Sequence, residues 1–473
     1  MSNQNLPQPT IVPIETASLG DRSYLAHDGA VAVVVDPQRD IDRVLELAAE
    51  HGVKITDVFE THIHNDYVTG GLALAQATGA TYHVNADDPV SFDRHPVRDG
   101  DVVDVSPGMR VRVIATPGHT YTHLSYALET TGAGDDQDDV VAVFTGGSLL
   151  FGATGRPDLL GPDHTDALVR HQYASAHRLA HDLPSQTHVL PTHGFGSFCS
   201  AGSTGDTTAS TIGEEQTRNP VLTRPQQQWV DETLAGLDAY PAYYAHMGPA
   251  NAAGPTPADL STPSLADKKT LAGRITAGEW VVDLRTRTAF AAGHVTGTLN
   301  FGLDGQFATY LGWLIPWGTS LTLLGDTPEQ VAEAQRELVR IGIDHLDGAA
   351  TGTPSDWTDT APASFPRASF ADLAQVRHHR PVTVLDVRRA SEYDESHIED
   401  AVNIPLHQLL PRLTEVPAGE VWVHCASGYR ASIGASVVTA RATPAHVVAI
   451  DDSYDEHAAS AGLPVATAAV TVG

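Results

Sequence analysis

The sequence predicts an α/β protein with several domains, and three observations support this prediction. β-rich runs alternate with helical periodicity in the first 80 residues, as in Ala30–Asp36 followed by Ile41–His51. A strand that ends in Asp-x-Arg occurs twice in the second half of the chain. A third strand leads into a cysteine-containing loop and a helix of small residues between positions 420 and 441. The chain has 473 residues, enough for about three domains of ordinary size.

Charge and composition narrow the classes of partner. The net charge is −30 and the pI about 5.0, which argues against a nucleic-acid or anionic-membrane partner. No apolar run approaches the length of a membrane helix, and the N-terminal residues lack the pattern of a secretory signal. Cys199 and Cys425 lie too far apart in sequence to suggest a disulfide framework. We therefore expect a cytoplasmic protein without a membrane partner.

Two segments predict the domain boundaries. Residues 241–263 are dense in Pro, Ala and Gly, and residues 351–366 are rich in Thr, Pro, Ala and Ser. Between and after them stand the two similar strands, Trp280–Arg285 and Val382–Arg388, which indicate a duplicated α/β domain. The expected domains are residues 1–252, 264–350 and 366–473.

A cluster of histidines follows predicted strands of the first domain. The run 55–60 leads into His62, His64 and Asp66, and imidazoles two residues apart after a strand can both turn onto one metal ion. His119 stands in a Pro-Gly turn, and His193 follows another apolar run. The pattern predicts a metal site, and the alternative is a polar pocket of histidines that holds no metal.

These motifs resemble those of the metallo-β-lactamase fold, an αββα sandwich with metal at one edge, over residues 11–247. They are most similar to persulfide dioxygenases fused to rhodanese domains. The resemblance implies one ferrous ion held by two histidines and one carboxylate, with open positions for a thiol persulfide and O₂. The motifs that carry it are Thr61-His62-x-His64-x-Asp66, Pro117-Gly118-His119-Thr120, Gly155-Arg156-Pro157-Asp158 and His193-Gly194-x-Gly196-Ser197.

The resemblance places the metal ligands at His62 and His119, with His64 beside them. The carboxylate ligand is expected at the position of Gly147, so the ion would have only two or three imidazoles and water. Fe(II) is the expected metal and zinc the alternative, and the site is empty if the lost ligand is essential. Asp66 and Asp158 are candidate replacements.

Two further residues of this domain are expected near the substrate. His193 is expected beside the metal or facing the substrate. Cys199 falls where fused members of the family also carry a cysteine, so it is predicted to face the persulfide pocket. A buried, inert thiol is the alternative for Cys199.

The loop Cys425–Arg430 lies between a strand and a helix, an arrangement that forms an anion cradle. Backbone N–H groups and the Arg430 guanidinium would stabilise the Cys425 thiolate and a persulfide on it. Ser427, Gly428 and Tyr429 are the candidate substrate contacts.

Residues 369–465 resemble the rhodanese domain, which carries sulfane sulfur on its loop cysteine. The loop is one residue shorter than that of the dual-specificity phosphatases, which favours sulfur over phosphate. The first copy of the duplicated domain has Asp326 and no thiol at the comparable loop, so we expect it to be inactive. The motifs shared with the family are Asp386-Val387-Arg388, Glu392-Tyr393, His397-Ile398 and the cysteine loop.

The resemblances imply sulfane-sulfur metabolism, with a thiol persulfide or thiosulfate as substrate. A homo-oligomer is a separate expectation. Cys425 and Arg430 would carry the sulfur transfer, and the metal domain would process low-molecular-weight persulfides. One alternative is a sulfurtransferase whose first domain only binds substrate or dimerises. The other is a persulfide sensor or sulfur carrier without enzymatic activity.

Overall fold

The computed structural model describes residues 8–130, 139–202, 207–442 and 446–467. The chain forms two compact α/β units. The first comprises Met1–Asp259 with Val339–Gly342, and the second comprises Leu260–Leu338 with Ile343–Gly473. Among the described residues, no helix combines the length and apolarity needed to cross a membrane. The predicted fold class is confirmed, whereas the division into three domains stays a prediction.

The first sheet of the first unit has six strands in sequence order. Its first three strands pair antiparallel, and the last four pair parallel. The valine-rich third strand alternates Val33 and Val35 on one face with Val34 on the other, and both faces are buried. The strands are β1 (Thr10–Thr16), β2 (Asp21–His27), β3 (Val31–Val35), β4 (Lys54–Phe59), β5 (Thr81–Asn85) and β6 (His95–Val97), with helices α1 (Asp42–Glu50) and α2 (Gly71–Thr78).

The second sheet of this unit also has six strands, in the order β12-β11-β10-β9-β8-β7. Tyr126 and Phe144 on one face pack against the first sheet, and Ala127 and Val143 on the other pack against helices. The two packed sheets with helices outside form the predicted αββα sandwich. The elements are β7 (Val102–Ser106), β8 (Met109–Ala115), β9 (Leu124–Thr130), β10 (Asp139–Gly146), β11 (His188–Pro191), β12 (Ser210–Thr211), α3 (Pro162–Asp182), α4 (Ile212–Arg218), α5 (Pro220–Thr223), α6 (Gln226–Ala235) and α7 (Tyr244–Ala253).

Helix α7 lies inside the Pro-, Ala- and Gly-rich segment that predicts the first boundary. It contains Pro249, which lies in the second turn. The buried side chains of Tyr244, Met247 and Asn251 hold this helix against the first unit, and Asn251 donates hydrogen bonds to the backbone oxygens of His64 and Tyr67. The segment that predicts the first boundary therefore begins with a helix of the first unit, and the division between the two units at Asp259 also falls inside it.

The second unit contains two mainly parallel sheets that repeat one local structure. At the end of one strand Arg285 donates to Asp283 at 2.6 Å and to the carbonyl of Gly293 at 2.8 Å. Arg388 makes the same pair of contacts with Asp386 at 2.6 Å and the carbonyl of Ser396 at 2.7 Å. The repeated Asp-x-Arg therefore closes the loop after each strand in the same way.

The first copy has the sheet order β14-β13-β15-β16 and the second copy the order β17-β22-β21-β18-β20, with β19 paired to β23. The strands are β13 (Trp280–Asp283), β14 (Leu299–Asn300), β15 (Leu321–Gly325), β16 (Leu346–Thr351), β17 (Arg367–Ala368), β18 (Thr383–Asp386), β19 (His397–Ile398), β20 (Val402–Asn403), β21 (Glu420–His424), β22 (His446–Ile450) and β23 (Val465–Ala466). The helices are α8 (Lys268–Thr276), α9 (Arg287–Ala292), α10 (Phe307–Leu314), α11 (Pro328–Arg340), α12 (Pro354–Trp357), α13 (Phe370–Arg377), α14 (Ala390–Glu395), α15 (Leu406–Leu409), α16 (Tyr429–Arg441) and α17 (Tyr454–His457), with a 3₁₀ turn at Leu413–Glu415.

Candidate functional site

Five buried histidines meet at one edge of the first unit's sandwich, and we call them the histidine cluster. Loops after β4, β8 and β11 supply them, and all are at most 1% exposed. Parallel strands such as β3 and β4, or β10 and β11, end at the same edge of a sheet, which brings these loops together. The members are His62, His64, His119, His123 and His193.

Three members of the cluster, His62, His119 and His193, offer ring nitrogen atoms that lie close to one another. Nε2 of His62 lies 3.4 Å from Nε2 of His193, and one ligand atom from each of His62, His119 and His193 lies within 4.8 Å of the other two. Within the described part of the chain, Nε2 of His119 has no hydrogen-bond partner. The Nδ1 atom of each ring lies near an oxygen acceptor. That of His62 is 2.9 Å from Thr61 Oγ1, that of His119 is 2.8 Å from the Arg156 carbonyl, and that of His193 is 2.9 Å from Asp21 Oδ1.

Burial lowers the pKa values of all three rings, and nearby carboxylates reverse this effect for one of them. Burial, followed by the neighbouring imidazoles, lowers the pKa of His62 well below its usual value. Burial and the charge of His193 lower the pKa of His119 to about 3. Burial also disfavours the charged form of His193, but Asp66 and Asp21 overcome this effect and raise its pKa to about 9. The carboxylates therefore stabilise positive charge at the His193 ring, and the other two rings are neutral.

His64, a predicted metal ligand, instead turns its Nε2 towards acidic and phenolic groups. This atom lies 3.3 Å from Asp36 Oδ1, 3.2 Å from Glu60 Oε2 and 3.0 Å from the Tyr67 hydroxyl. Burial lowers the pKa of His64, but Asp36 and Glu60 outweigh it and raise the pKa well above its usual value. Among described residues its Nδ1 has no hydrogen-bond partner, and one ligand atom of His64 lies within 4.8 Å of ligand atoms of Asp66 and His193.

The position of the expected carboxylate ligand is filled by the His119 ring. A Cβ atom added to Gly147 would lie 2.6 Å from Cγ of His119, and one added to Gly155 would lie 2.7 Å from its Nδ1. Any side chain at either position would therefore displace the ring. A two-histidine, one-carboxylate iron site with its carboxylate at position 147 does not fit this arrangement.

The two candidate replacement carboxylates have different surroundings. Asp158 is engaged in a two-fold ion pair with Arg156, with both N–O distances 2.7 Å. Asp66 Oδ2 lies 3.1 Å from Nδ1 of His193. Asp158 is thus held away from a ligand role, whereas Asp66 acts on the cluster through His193.

Cys199 is fully buried beside the same carboxylates. Burial raises the pKa of its thiol well above the usual value, and the charges of Asp66 and Asp21 raise it further. A neutral, buried thiol is a poor nucleophile, so the geometry favours the alternative of an inert thiol.

Sequence reasoning missed the carboxylates that organise the cluster. Asp36 accepts hydrogen bonds from the backbone N–H and the hydroxyl of Thr61, both at 2.7 Å, and from the hydroxyl of Thr192. Asp36 and Glu60 each follow directly on a parallel strand, β3 and β4. That shared position was the signal that could have identified them.

In the second unit, the cysteine loop Cys425–Arg430 lies between β21 and α16 as predicted. The Cys425 sulfur accepts hydrogen bonds from the backbone N–H groups of Gly428 at 3.1 Å and Ala431 at 3.3 Å. The side chain is only 2% exposed. Two amides therefore point at the sulfur, an arrangement that favours negative charge on it.

Arg430 forms an ion pair that the sequence did not predict. Both of its terminal nitrogens donate to the Glu392 carboxylate at 2.7 Å. Arg430 also lines a cavity of about 400 Å³ beside the loop, together with side chains from both copies of the duplicated domain. The other lining residues are Ser427 and Tyr429 of the second copy, and Arg287, Asp304, Gly305, Gln306 and Tyr310 of the first copy.

Comparison with known proteins agrees with both resemblances. The rhodanese-like domain family matches residues 369–460. The human mitochondrial persulfide dioxygenase is 28% identical over 217 residues, which cover 46% of this chain and 74% of that protein. Hydroxyacylglutathione hydrolase from Methylobacillus flagellatus is 33% identical over 172 residues, covering 36% of this chain. The chain spans 60% of the length of that hydrolase and 56% of the one from Saccharophagus degradans.

A solved structure supports the fold of the chain. The crystal structure of a metallo-β-lactamase from Staphylococcus aureus has a TM-score of 0.64 and 27% sequence identity, and the match covers 73% of this chain and 100% of that one. Together with the αββα sandwich and the cysteine loop, these similarities establish the architecture. The chain is a metallo-β-lactamase-fold protein, similar to persulfide dioxygenases, that carries a rhodanese-like domain at residues 369–460.

Proposed function

We propose that this chain acts in sulfur metabolism as a sulfurtransferase that carries sulfane sulfur on Cys425. The observation that carries the proposal is the pair of backbone N–H groups directed at the Cys425 sulfur. These groups stabilise a thiolate before transfer and a persulfide anion after it. The match to the rhodanese-like domain family supports the same chemistry.

The transfer has two steps that balance without an external oxidant. The Cys425 thiolate attacks the outer sulfur of thiosulfate or of a thiol persulfide, a new S–S bond forms, and sulfite or a thiolate leaves with the electron pair. An acceptor thiolate then attacks the outer sulfur of the Cys425 persulfide and releases the Cys425 thiolate. The cavity that Ser427, Tyr429 and Arg430 line gives a small polar donor access to the loop.

The experiment measures sulfur on the protein directly. The purified full chain is incubated with thiosulfate, and intact-mass and peptide mass spectrometry should find one added sulfur atom on Cys425. Cys425→Ser should take up no sulfur and lose thiosulfate:thiol transfer. Glu395→Gln, an exposed position on α14, is the surface control. Transfer that survives in Cys425→Ser would overturn the proposal, and turnover without a second protein would argue against a sensor or carrier role.

A second candidate function concerns the first unit, which we propose processes low-molecular-weight persulfides. The similarity to the human persulfide dioxygenase, which covers 74% of that protein, favours it. Such a reaction would use a metal ion at the histidine cluster, where the buried neutral rings of His62 and His119 supply nitrogen ligands. The test is O₂ uptake and sulfite release from glutathione persulfide by the full chain loaded with Fe²⁺, because Zn²⁺ has no redox chemistry. No uptake by the Fe²⁺-loaded protein would overturn this second candidate function.

A further inference from the structure

We propose that the first unit binds one divalent transition-metal ion through the three imidazoles of His62, His119 and His193, without a carboxylate ligand. Zinc is a divalent ion that such a donor set holds in known sites, and it is the ion used in the test. The proposal concerns only the ligand set of the first unit, and it stands whether or not Cys425 transfers sulfur.

The first argument is the distance between the candidate ligand atoms. Zinc binds histidine nitrogen at about 2.0–2.1 Å, so two ligands of a tetrahedral site lie roughly 3.3 Å apart. Nε2 of His62 and Nε2 of His193 are separated by 3.4 Å. His119 completes the set within 4.8 Å, and its Nε2 is buried without a partner among described residues. Ring nitrogen atoms held so close, with one of them unsatisfied, are well placed to share a cation.

The second argument is that each ring is oriented through its other nitrogen. Each Nδ1 has an oxygen acceptor within 2.9 Å. Those contacts fix the Nδ1–H tautomer and direct the Nε2 lone pair inwards, as acceptors behind metal-bound histidines do. The acceptors are Thr61 Oγ1, the Arg156 carbonyl and Asp21 Oδ1.

The third argument excludes the other two histidines of the cluster from the set. Both ring nitrogens of His123 have partners, since one lies 2.9 Å from Thr116 Oγ1 and the other accepts the N–H of Gly147 at 3.0 Å. His64 turns its Nε2 towards Asp36 and Glu60, and although its Nδ1 has no hydrogen-bond partner among described residues, His64 does not belong to the group of His62, His119 and His193. A competing set of His64, Asp66 and His193 shares His193 with the first set. Nδ1 of His193 donates to Asp21, which leaves its Nε2 for His62 and His119.

The fourth argument explains why no carboxylate takes part. The His119 ring is held between Gly147 and Gly155, where a Cβ at either position would lie within 2.7 Å of a ring atom. The glycine at 147 is therefore a steric requirement of this His119 position, as well as the loss of a ligand. Three imidazoles add no negative charge to the ion and leave one position open, a donor set found in catalytic zinc sites, and the ion would displace the proton that Asp66 and Asp21 favour on His193.

The test measures metal content and spectra of the full chain. Zn²⁺ should bind with one ion per chain, and Co²⁺ in its place should give the intense visible bands of a tetrahedral site. His62→Gln, His119→Gln and His193→Gln should each lower Zn²⁺ affinity at least tenfold. His64→Gln should retain Zn²⁺, as should His181→Gln, whose ring is 88% exposed. Circular dichroism and thermal unfolding establish that each variant folds.

Two results would overturn the proposal. One is loss of the metal in His64→Gln together with its retention in His193→Gln, which would assign His64 as the third ligand. The other is wild-type protein that binds neither Zn²⁺ nor Co²⁺ or gives the weak bands of octahedral Co²⁺. The Co²⁺ spectrum of the wild type decides the question even if a histidine variant does not fold. None of these readouts depends on persulfide turnover, so a failure here is distinct from a failure of the proposed function.

Discussion

Arg430 and Glu392 form a two-fold ion pair near Cys425, with both N–O distances 2.7 Å. Arg389 adds a third hydrogen bond to the same carboxylate at 3.0 Å. The pair fixes the guanidinium on the wall of the cavity next to the cysteine loop. Glu392 thus acts on the loop through Arg430, and its removal should affect both stability and sulfur transfer.

We expect Glu392→Gln to destabilise the second unit by about 1.5–3 kcal/mol, because hydrogen bonds to a charged group are lost at a mostly buried position. Urea unfolding followed by tryptophan fluorescence measures this change. Glu395→Gln on the same helix is exposed and should stay within about 0.5 kcal/mol of the wild type. Equal losses in both variants would show that the pair contributes nothing specific.

The same carboxylate predicts a pH dependence. Burial raises the pKa of Glu392, but the hydrogen bonds and charge of Arg430 dominate and lower it from 4.5 to about 2. A group whose pKa is lower in the folded state stabilises the fold above its unfolded value and loses this effect as pH falls. The stability difference between wild type and Glu392→Gln should therefore be complete above pH 4.5 and shrink between pH 4.5 and about 2. A difference that stays constant over this range would contradict the assignment.

Arg287 of the first copy should control how the cavity receives an anionic donor. Its guanidinium pairs with Asp304 at 2.9 Å and Asp451 at 2.6 Å, and it lines the cavity with Arg430. Arg287→Ala removes the ion-pair partner of Asp304 and leaves Asp451 paired with Arg367 alone, so kcat/KM for thiosulfate should fall about three- to tenfold at low salt. The loss should shrink as ionic strength rises.

The control for this effect is Arg412→Ala, which removes the same charge from a position outside the cavity lining. Steady-state kinetics at several salt concentrations compare the two variants. Equal effects of both substitutions would mean that net charge, and not the position of Arg287, governs the rate.

The local elements were predictable from sequence because each depends on its own residues. The loop between β21 and α16 and the strands that deliver His62, His119 and His193 lie where periodicity and turn residues place them. The acidic residues 134–139 predict a hairpin tip, and this tract lies almost wholly outside the described residues. Its flanking strands β9 and β10 pair antiparallel, as a hairpin requires.

Long-range partners were not predictable, because they depend on which loops the fold brings together. The direction of the His64 ring is set by Asp36, 28 positions earlier, and the Arg430 charge is paired with Glu392 at a separation of 38 residues. The position of the His119 ring depends on Gly147 and Gly155, because a side chain at either glycine would collide with it. The sequence alone does not show that these two glycines lie against the ring. Motifs therefore indicated the chemistry, and packing determined which nitrogen atoms face one another.

The contacts of Asp36 predict that the stability of the first unit and its affinity for Zn²⁺ change together. Its carboxylate accepts three hydrogen bonds from Thr61 and Thr192, and Thr61 in turn lies 2.9 Å from Nδ1 of His62. Asp36→Asn puts a donor where an acceptor is needed, and Asn tolerates the backbone φ of 51° at this position. We expect a loss of at least about 2 kcal/mol in unfolding free energy.

The loss of the Thr61 contact should also lower Zn²⁺ affinity about 10- to 100-fold, as removal of a partner behind a metal ligand does. Titration of the metal-free chain with Zn²⁺ measures this affinity. Asp139→Asn, at an exposed position in β10, provides the control. Unchanged Zn²⁺ affinity in a destabilised Asp36→Asn would separate the carboxylate from the metal site.

Gly147→Asp is the most direct test of the packing around His119. If the site only lacked its carboxylate, adding one would tighten metal binding. The Cβ of any residue at 147 would lie 2.6 Å from Cγ of His119, so the ring must move. We therefore expect Gly147→Ala and Gly147→Asp each to lower the free energy of unfolding by about 1–3 kcal/mol and to weaken Zn²⁺ binding.

The control is Gly273→Ala, which should not destabilise the fold because a Cβ there meets no atom within 4 Å. Tighter metal binding by Gly147→Asp with unchanged stability would show that the ring moves freely, and the three-imidazole set would no longer be the favoured one.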